Sequence, residues 1–514
     1  MMAAWGKGTI EGETCTRRAG TLKDDVKRML DKVEEPLDKL QLIDTLQRLG
    51  VSYHFEVEIK GILESIYNKK YGSDKWNKDD LYAIALEFRV LRQHGFNVPQ
   101  EVFNSFKDEA GNFKVCICED TRGMLYLYEA SYLSIRGEAL LDEARDFTAK
   151  HLKESLRDQK MDQNLAILVC HALELPLHWR MLRLEARWFI DVYAMTQDVN
   201  TALLELARLD FNMVQVAHQE DLKQMSRWWK STGLGQKLSF ARDRLMENFL
   251  WTIGDNFEPR YLYTRRIITK LNSLITTIDD VYDVYGTLEE LELFTNAVER
   301  WEIAAMDQLP DYMKICFLAL YNSINEMAYD VLKEQDTLVI SYLKNSVQAD
   351  PLTHWLHRFW VFSDFINLLC LQWAELCKTY LTEAKCYHHG YTPTFVEYMK
   401  MACISIGAPL TLVHAYFSVT NPAAKEALEC LEKLPDIILW SSMITRLSND
   451  LGTSQRMNEA RVADSPFNQS FIDTAVNLAR MAQCMYQLGD GHGIEGNETK
   501  DRVLLLLVDP IPLV

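Results

Sequence analysis

The chain has 514 residues and a formal net charge of −18, which excludes a nucleic-acid binder on electrostatic grounds and repels any free anionic substrate. Apolar residues make up 48 % and charged residues 25 %, with 22 Gly and 13 Pro, the profile of a mostly helical globular protein. The length is too great for one core and predicts two large domains.

The eleven cysteines are scattered and include no Cys-x-x-Cys, which reads as a reduced, intracellular protein. No run of 18 apolar residues is free of charge, so no membrane span is expected. Met1 to Arg18 lacks the Ser- and Arg-rich, acid-poor character of a transit peptide.

From Thr21 onward the pattern is helix after helix. Leu22, Val26, Leu30 and Val33 form one stripe, ended near Pro36. Leu37, Leu40, Ile43, Leu46 and Leu49 form the next, stopped by Gly50. Leu81, Ile84, Phe88 and Leu91 line another, closed by Gly95, with Pro99 at the next helix start. Asp120 to Ser134 and Gly137 to Ser155 continue the alternation, and no strand pattern emerges. Residues 1–205 therefore read as a helical barrel or stacked hairpins without clustered chemistry. Residues 206–514 carry longer, more apolar helices, predicted over Phe240–Ile253, Ile267–Ile278, Ile315–Leu332, Met399–Val419 and Phe471–Leu488. Helices this apolar pack on several sides or line a cavity.

Three constellations lie in this second half. The first is Asp279-Asp280-Val281-Tyr282-Asp283, at the end of an otherwise apolar helix. Asp279 and Asp283 are four apart and share a helical face, whereas Asp280 points about 100° away. Carboxylates at a helix C-terminus oppose its partial negative charge, so stacking them there is costly unless a cation neutralises them. All-oxygen ligands favour Mg²⁺ or Mn²⁺, commonly held together with substrate phosphates. The bland alternative is a solvated acidic helix end before Gly286. The second constellation is Arg242-Asp243-Arg244, flanked by Trp228, Trp229 and Trp251, which alone suits a structural ion pair. The third is Arg446-Leu447-Ser448-Asn449-Asp450 with Thr453, where Asn449 and Thr453 share a face; alone it reads as a capped helix end.

Together and in this order, these motifs resemble those of the plant class I terpene synthases, in particular the angiosperm monoterpene synthase group. The resemblance covers nearly the whole chain. It takes in Leu173 to Trp179, Arg187 to Asp191, Leu209 to Asn212, Met457 to Arg461, and Tyr486 to His492. It implies an all-α fold with an N-terminal helical barrel and a C-terminal helical domain holding a deep apolar pocket. Asp279 and Asp283 would hold Mg²⁺ (or Mn²⁺) from one wall, and Asn449 and Thr453 from the other. Arg242, Arg244 and Arg446 would hold the diphosphate. Trp251, Tyr416 and Phe417 match pocket positions, with core packing as the alternative for each. Tyr486 and Asp490 would orient or accept a proton. The implied reaction is ionisation of an allylic prenyl diphosphate to a monoterpene and diphosphate, by a monomer that needs no macromolecular partner. Isoprene-forming relatives carry Phe at the positions of Asn272 and Thr445, so geranyl diphosphate fits better than dimethylallyl diphosphate. The alternatives are farnesyl diphosphate as substrate or a catalytically impaired helical remnant. A chain-elongating prenyltransferase would show a second Asp-Asp-x-x-Asp, and this chain has Asn449-Asp450 with Thr453 instead. The family works in chloroplasts, and the missing transit signature leaves the cytoplasm as the alternative.

The chain departs from the family pattern in three places. Met457 stands where the second metal motif ends in Glu, and some 40 family residues are missing near 455–457, with them the loop expected to close the pocket. Residues 345–371 form an atypical insertion of about 26 residues, with Trp355, Phe359, Trp360, Phe362 and Phe365, which is expected to loop out and expose apolar surface. Arg17-Arg18 lacks the Trp that follows paired arginines in cyclising relatives, since position 27 is Lys. A retained intron or misjoined exon accounts for the first two. Sequencing the transcript tests this: an altered joint supports it, and a transcript with the same joints discards it.

Overall fold

The computed structural model describes residues 10–71, 80–158, 161–343, 351–420, 425–431, 433–447, 458, 465–487 and 497–513. Among the described residues every named element is helical, and the only strand-like feature is an isolated bridge between Lys107 and Phe113. The all-α expectation holds. The chain divides into two compact units.

The first unit takes the chain up to His218, together with Asn458 and the Asn497–Leu507 helix. Its centre is the Leu81–Gln93 helix, buried along nearly its whole length. Asp80 caps it by accepting from the Ala83 N–H. Asp120 and Asp162 cap the helices Thr121–Ser131 and Gln163–Glu174 in the same way. Short side chains that satisfy the free N–H groups fix these starts. Arg92 is fully enclosed and donates to Val98 O, Leu133 O and Glu138, so the turn after the helix is tied to it from within.

The boundary expected near residue 205 falls instead inside the Thr201–Thr232 helix, and the chain's last helix groups with the first unit. The reason is specific. Asn212 donates to Ile511 O and accepts from Ile511 N–H, both at 2.8 Å, while Gln215 donates to Asp509 O. Asn458 docks on the same unit by donating to the carbonyls of Tyr132 and Ser134.

This unit also holds a buried charge cluster that the sequence reading missed. Arg89 pairs with Asp44, and Glu185 receives both Arg48 and His171. Burial alone would raise the Glu185 carboxyl, but Arg48 and His171 overcome it and hold it at about 2. Burial pushes the neighbouring Glu129 up to about 7. They surround a void of about 20 Å³, room for one water molecule.

The second unit runs on from Gln219 and includes residues 465–487. Its helices Leu245–Asp255, Leu262–Asp280, Ala408–Val419, Asp436–Leu447 and Gln469–Tyr486 pack on one another. Gly254 permits one close approach: a Cβ there would stand 1.8 Å from Met481 Sδ. The predicted Met399–Val419 helix is two, Phe395–Ser405 and Ala408–Val419. Gly407 sits between them at φ +75°, a conformation that costs a side-chain-bearing residue strain, and Ile275 packs against it. Phe395–Val419 is long and apolar enough for a membrane span, but it is broken at Gly407 and 78 % buried, so it is core. In the described part of the expected insertion, residues 351–371, the backbone is helical and belongs to Pro351–His388. The five aromatic side chains lie outside the description.

Asp221 and Arg265 are both fully buried, paired at 2.8 Å, with Arg265 also donating to Asn256 O and Glu258 O. Removing the carboxylate strands a buried guanidinium. Asp221→Ala is expected to lower the stability of the fold by about 3–5 kcal/mol, read by denaturant unfolding; a loss below about 1 kcal/mol would refute the assignment.

Candidate active site

The Leu262–Asp280 helix is kept in place by its apolar stripe, with Ile267, Ile268, Leu271, Leu274 and Ile278 buried. Beyond Asp280 the α-helix does not continue. Val281–Tyr285 forms a π-helical turn, closed by the Gly286 N–H donating to Val281 O at 2.8 Å. The turn that carries Asp283 is wider than the α-helix expected there, yet the charge of Asp283 still acts on Asp279, so the two carboxylates remain neighbours.

Asp280 has a different task from its neighbours. It is 2 % exposed and accepts from the backbone N–H of Arg242 at 2.7 Å and from Arg242 Nε at 2.8 Å. Arg242 Nη2 then donates to Asp279 at 2.9 Å. Arg242 therefore lies flat against the aspartate wall, fixed at its near end by a buried carboxylate. The predicted helix over Phe240–Ile253 begins only at Leu245, so the residues up to Arg244 are irregular and free to follow this wall. Arg244 turns to Glu247, 3.7 Å away, and does not line the cavity.

One arginine does not balance this wall. Burial, then the Asp283 charge, push Asp279 up to about 7 against the pull of Arg242. Burial raises Asp283 too, opposed by Arg242 and by Arg446. Arg446 comes from the Asp436–Leu447 helix, where its Nε donates to the Tyr398 hydroxyl at 3.1 Å. Its effect on Asp283 shows that the two lie within electrostatic reach. Glu383, on the Pro351–His388 helix, is raised by burial, lowered by Arg446 and raised by Asp283. The sequence reading missed Glu383, which lies 100 positions beyond Asp283 on an ordinary amphipathic helix.

Of these groups Arg242, Asp279 and Arg446 line a cavity of about 260 Å³, whose other walls include Trp251, Ile275, Tyr380, Ile406, Ala408, Leu478 and Tyr486. The Trp251 and Tyr486 rings lie 6.2 Å apart. The lining is more polar than expected, since Asn248, Asn272, Thr276, Ser405, Thr411 and Thr445 contribute. Much of that polarity is already committed. Thr276 donates to Asn272 O, Thr445 to Ser441 O, and Thr411 to Asn272 Oδ1. Tyr416, matched to a pocket position in the sequence, is 1 % exposed and packs edge-on to Phe417, Phe467 and Phe471, so it is core. Asn449, Thr453 and Asp490 lie outside the described residues.

The donor set suits a hard divalent cation. Asp279 and Asp283 are hard carboxylate donors whose ionisation is opposed where they stand. Among the described residues no three acidic, His or Cys side chains converge as a ready cage. That matches an ion held by one or two carboxylates together with the phosphates of a substrate.

Two outcomes follow from this wall. An acid whose pKa is higher in the folded than in the unfolded state favours folding at low pH, and that contribution is lost as pH rises through the folded value. Without divalent cation, melting temperature is expected to fall more gently between pH 5 and 8 in Asp279→Asn than in the parent; equal slopes would refute the assigned shift. Asp280→Asn, which loosens Arg242 without touching the cavity, is expected to lower kcat/KM about 10–100-fold, and an unchanged value would refute the anchor.

Comparison with known proteins agrees with this geometry. Residues 5–173 match the terpene synthase N-terminal domain, and residues 230–355 and 362–465 the metal-binding domain of the terpene synthase family. The (-)-alpha-terpineol synthase of Vitis vinifera is 57 % identical, across 98 % of this chain and 87 % of its own. That alignment runs over 540 positions, more than this chain's 514 residues, so the relative carries residues that this chain lacks. The chloroplastic myrcene synthase of Quercus ilex is also 57 % identical, across 98 % of this chain and 86 % of its own. The isoprene synthase of grey poplar, Populus x canescens, solved with three Mg²⁺ ions and dimethylallyl-S-thiolodiphosphate, superposes with a TM-score of 0.85 at 43 % identity. It covers 97 % of this chain and 98 % of its own. Monoterpene synthases of flowering plants are thus among its relatives, and the chain belongs to the terpene synthase family, lyases with a divalent-metal-binding domain.

Proposed function

We propose that this chain ionises geranyl diphosphate, with Mg²⁺ or Mn²⁺ as cofactor, and releases a monoterpene and diphosphate. The observation that carries the reading is the under-neutralised Asp279, which lines a cavity together with Arg242 and Arg446 and feels the charge of the neighbouring Asp283. A cation bound by those carboxylates would neutralise charge building on the departing diphosphate, so that an allylic C–O bond breaks without a protein nucleophile.

The chain's own residues supply the rest. Arg242, already oriented by Asp280, presents its guanidinium to the diphosphate, and Arg446 reaches it from the Asp436–Leu447 helix. Charge-assisted bonds of this type give both orientation and affinity. Asn449 and Thr453 would add oxygen ligands from the second motif, and Arg244 would have to swing away from Glu247 to reach the diphosphate beside Arg242. Trp251 and Tyr486 offer aromatic faces to the carbocation, an attraction of order 1–2 kcal/mol each in a desolvated site. Tyr486, with Asp490, would take the proton that ends the reaction. The threonines spend their protons on helix carbonyls, which limits the polar groups left to capture the cation.

The ten-carbon substrate rests on pocket length. Asn272 and Thr445, the two positions where a Phe would shorten the cavity, both line it. At about 260 Å³ the cavity lies at the small end for ligand pockets, which favours a ten-carbon tail over the fifteen carbons of farnesyl diphosphate. The likeness to chloroplastic enzymes supports action in plastids. The catalytic domain, expected over residues 206–514, is assigned from Gln219 onward, less the chain's last helix, which groups with the first unit.

The full-length chain incubated with geranyl diphosphate and Mg²⁺ is expected to release a volatile monoterpene and inorganic diphosphate. Asp279→Ala is expected to reduce that release by at least about 100-fold. No release above the Asp279→Ala control would overturn the proposal in favour of an impaired remnant. Faster turnover of farnesyl diphosphate would move the substrate to fifteen carbons.

A further inference from the structure

Arg242 sits in an irregular segment, and Asp280 holds only its backbone N–H and the near side of its guanidinium. Two residues upstream the same segment has a second attachment. The Phe240 ring lies flat on Tyr285, with centroids 4.1 Å apart and planes within 2°. Tyr285 is the last residue of the π-helical turn that follows the aspartates. Tyr312 meets Tyr285 edge-on at 5.0 Å and also meets Phe240 edge-on at 6.0 Å. The Tyr312 hydroxyl donates to Glu290, the same carboxylate that completes the cap of the Leu288–Arg300 helix with Thr287. A continuous set of contacts therefore runs from that helix cap through three aromatic rings to the segment that carries Arg242.

We propose that Tyr285 is a positioning residue for diphosphate binding, acting through its stack on Phe240 to hold Arg242 in register with the aspartate wall. This rests on the assignment of Arg242 to the diphosphate. The stack has a property that the Arg242–Asp279 contact lacks. Asp279 accepts from Arg242 Nη2, so a ligand that recruits either group competes with that bond. An aromatic stack gives nothing up when an anion or a cation arrives. It keeps the segment in place while the guanidinium changes partners. The π-helical turn explains why Tyr285 can serve both elements, because the extra residue in the turn re-aims the side chains after Asp280. Tyr285 is 56 % exposed, more than core packing would leave it, so its truncation removes little buried surface.

The test is calorimetric titration of the full chain with inorganic diphosphate in the presence of Mg²⁺, alongside KM and kcat for geranyl diphosphate and the melting temperature. Tyr285→Ala is expected to weaken diphosphate binding and raise KM about tenfold, with kcat changed less and the melting temperature within about 2 °C of the parent. Tyr285→Phe keeps the ring and is expected to bind within about twofold of the parent. Phe240→Leu is expected to match Tyr285→Ala, and the double variant to be no worse than either single one, since both break one contact. Parent-like diphosphate affinity in Tyr285→Ala, additive losses in the double variant, or no rescue in Tyr285→Phe would each overturn the inference. Arg242→Ala separates the two levels. If it too binds diphosphate like the parent, the assignment of Arg242 falls and the inference with it. If it binds weakly while Tyr285→Ala does not, only the stack loses its role.

Discussion

The site depends on a deficit of positive charge at the end of one buried helix. Three aspartates cluster there, and a single arginine reaches two of them. Asp280 takes the backbone N–H and Nε of Arg242 and is buried by that contact, so its charge is spent on structure. Asp279, half-buried, and Asp283, at the surface, remain, with desolvation and a neighbouring carboxylate opposing the ionisation of each. Folding tolerates this arrangement because the helix beneath is secured by apolar packing and by fully buried pairs such as Asp221–Arg265. A cation at the lip relieves the repulsion, and an anion that brings cations with it relieves it further. Under the proposed function, the same electrostatics would favour a metal–diphosphate complex at this wall.

The cavity behind that wall has the complementary property. Its aromatic faces, Trp251, Tyr380 and Tyr486, favour a cation, and its threonine hydroxyl protons already bond to helix carbonyls or to Asn272. Under the proposed function, charge separation would be arranged in space, with diphosphate at the charged end and the positive tail inside. Rigid supports keep the two apart: the π-helical turn, the Gly407 break that seats Ile275, and the close approach at Gly254.

Much of this was legible in the sequence where the signal was local. The aspartate motif, the paired arginines and the apolar stripes are short-range patterns, and the all-α fold followed from helical periodicity. The Gly407 break was legible too, since Gly-Ala-Pro marks a helix end and start, but the apolar run through Met399–Val419 masked it. What the sequence did not reveal depends on contacts between distant positions. Glu383 carries no motif and joins the site only because its helix passes Arg446 and Asp283. The buried charges of the first unit come from separate helices and look like ordinary surface residues in sequence. The π-helical turn was not foreseen because α spacing was carried on beyond Asp280, and Tyr416 was misplaced because it packs among Phe417, Phe467 and Phe471.

The central claim is that Asp279 and Asp283 form a cation site completed by diphosphate. The most direct measurement is Mn²⁺ uptake by electron paramagnetic resonance, with and without inorganic diphosphate, in the parent and in Asp283→Asn. The account predicts that diphosphate strengthens Mn²⁺ binding in the parent and that the variant loses most of this gain. Equal uptake by both proteins, unaffected by diphosphate, would contradict it.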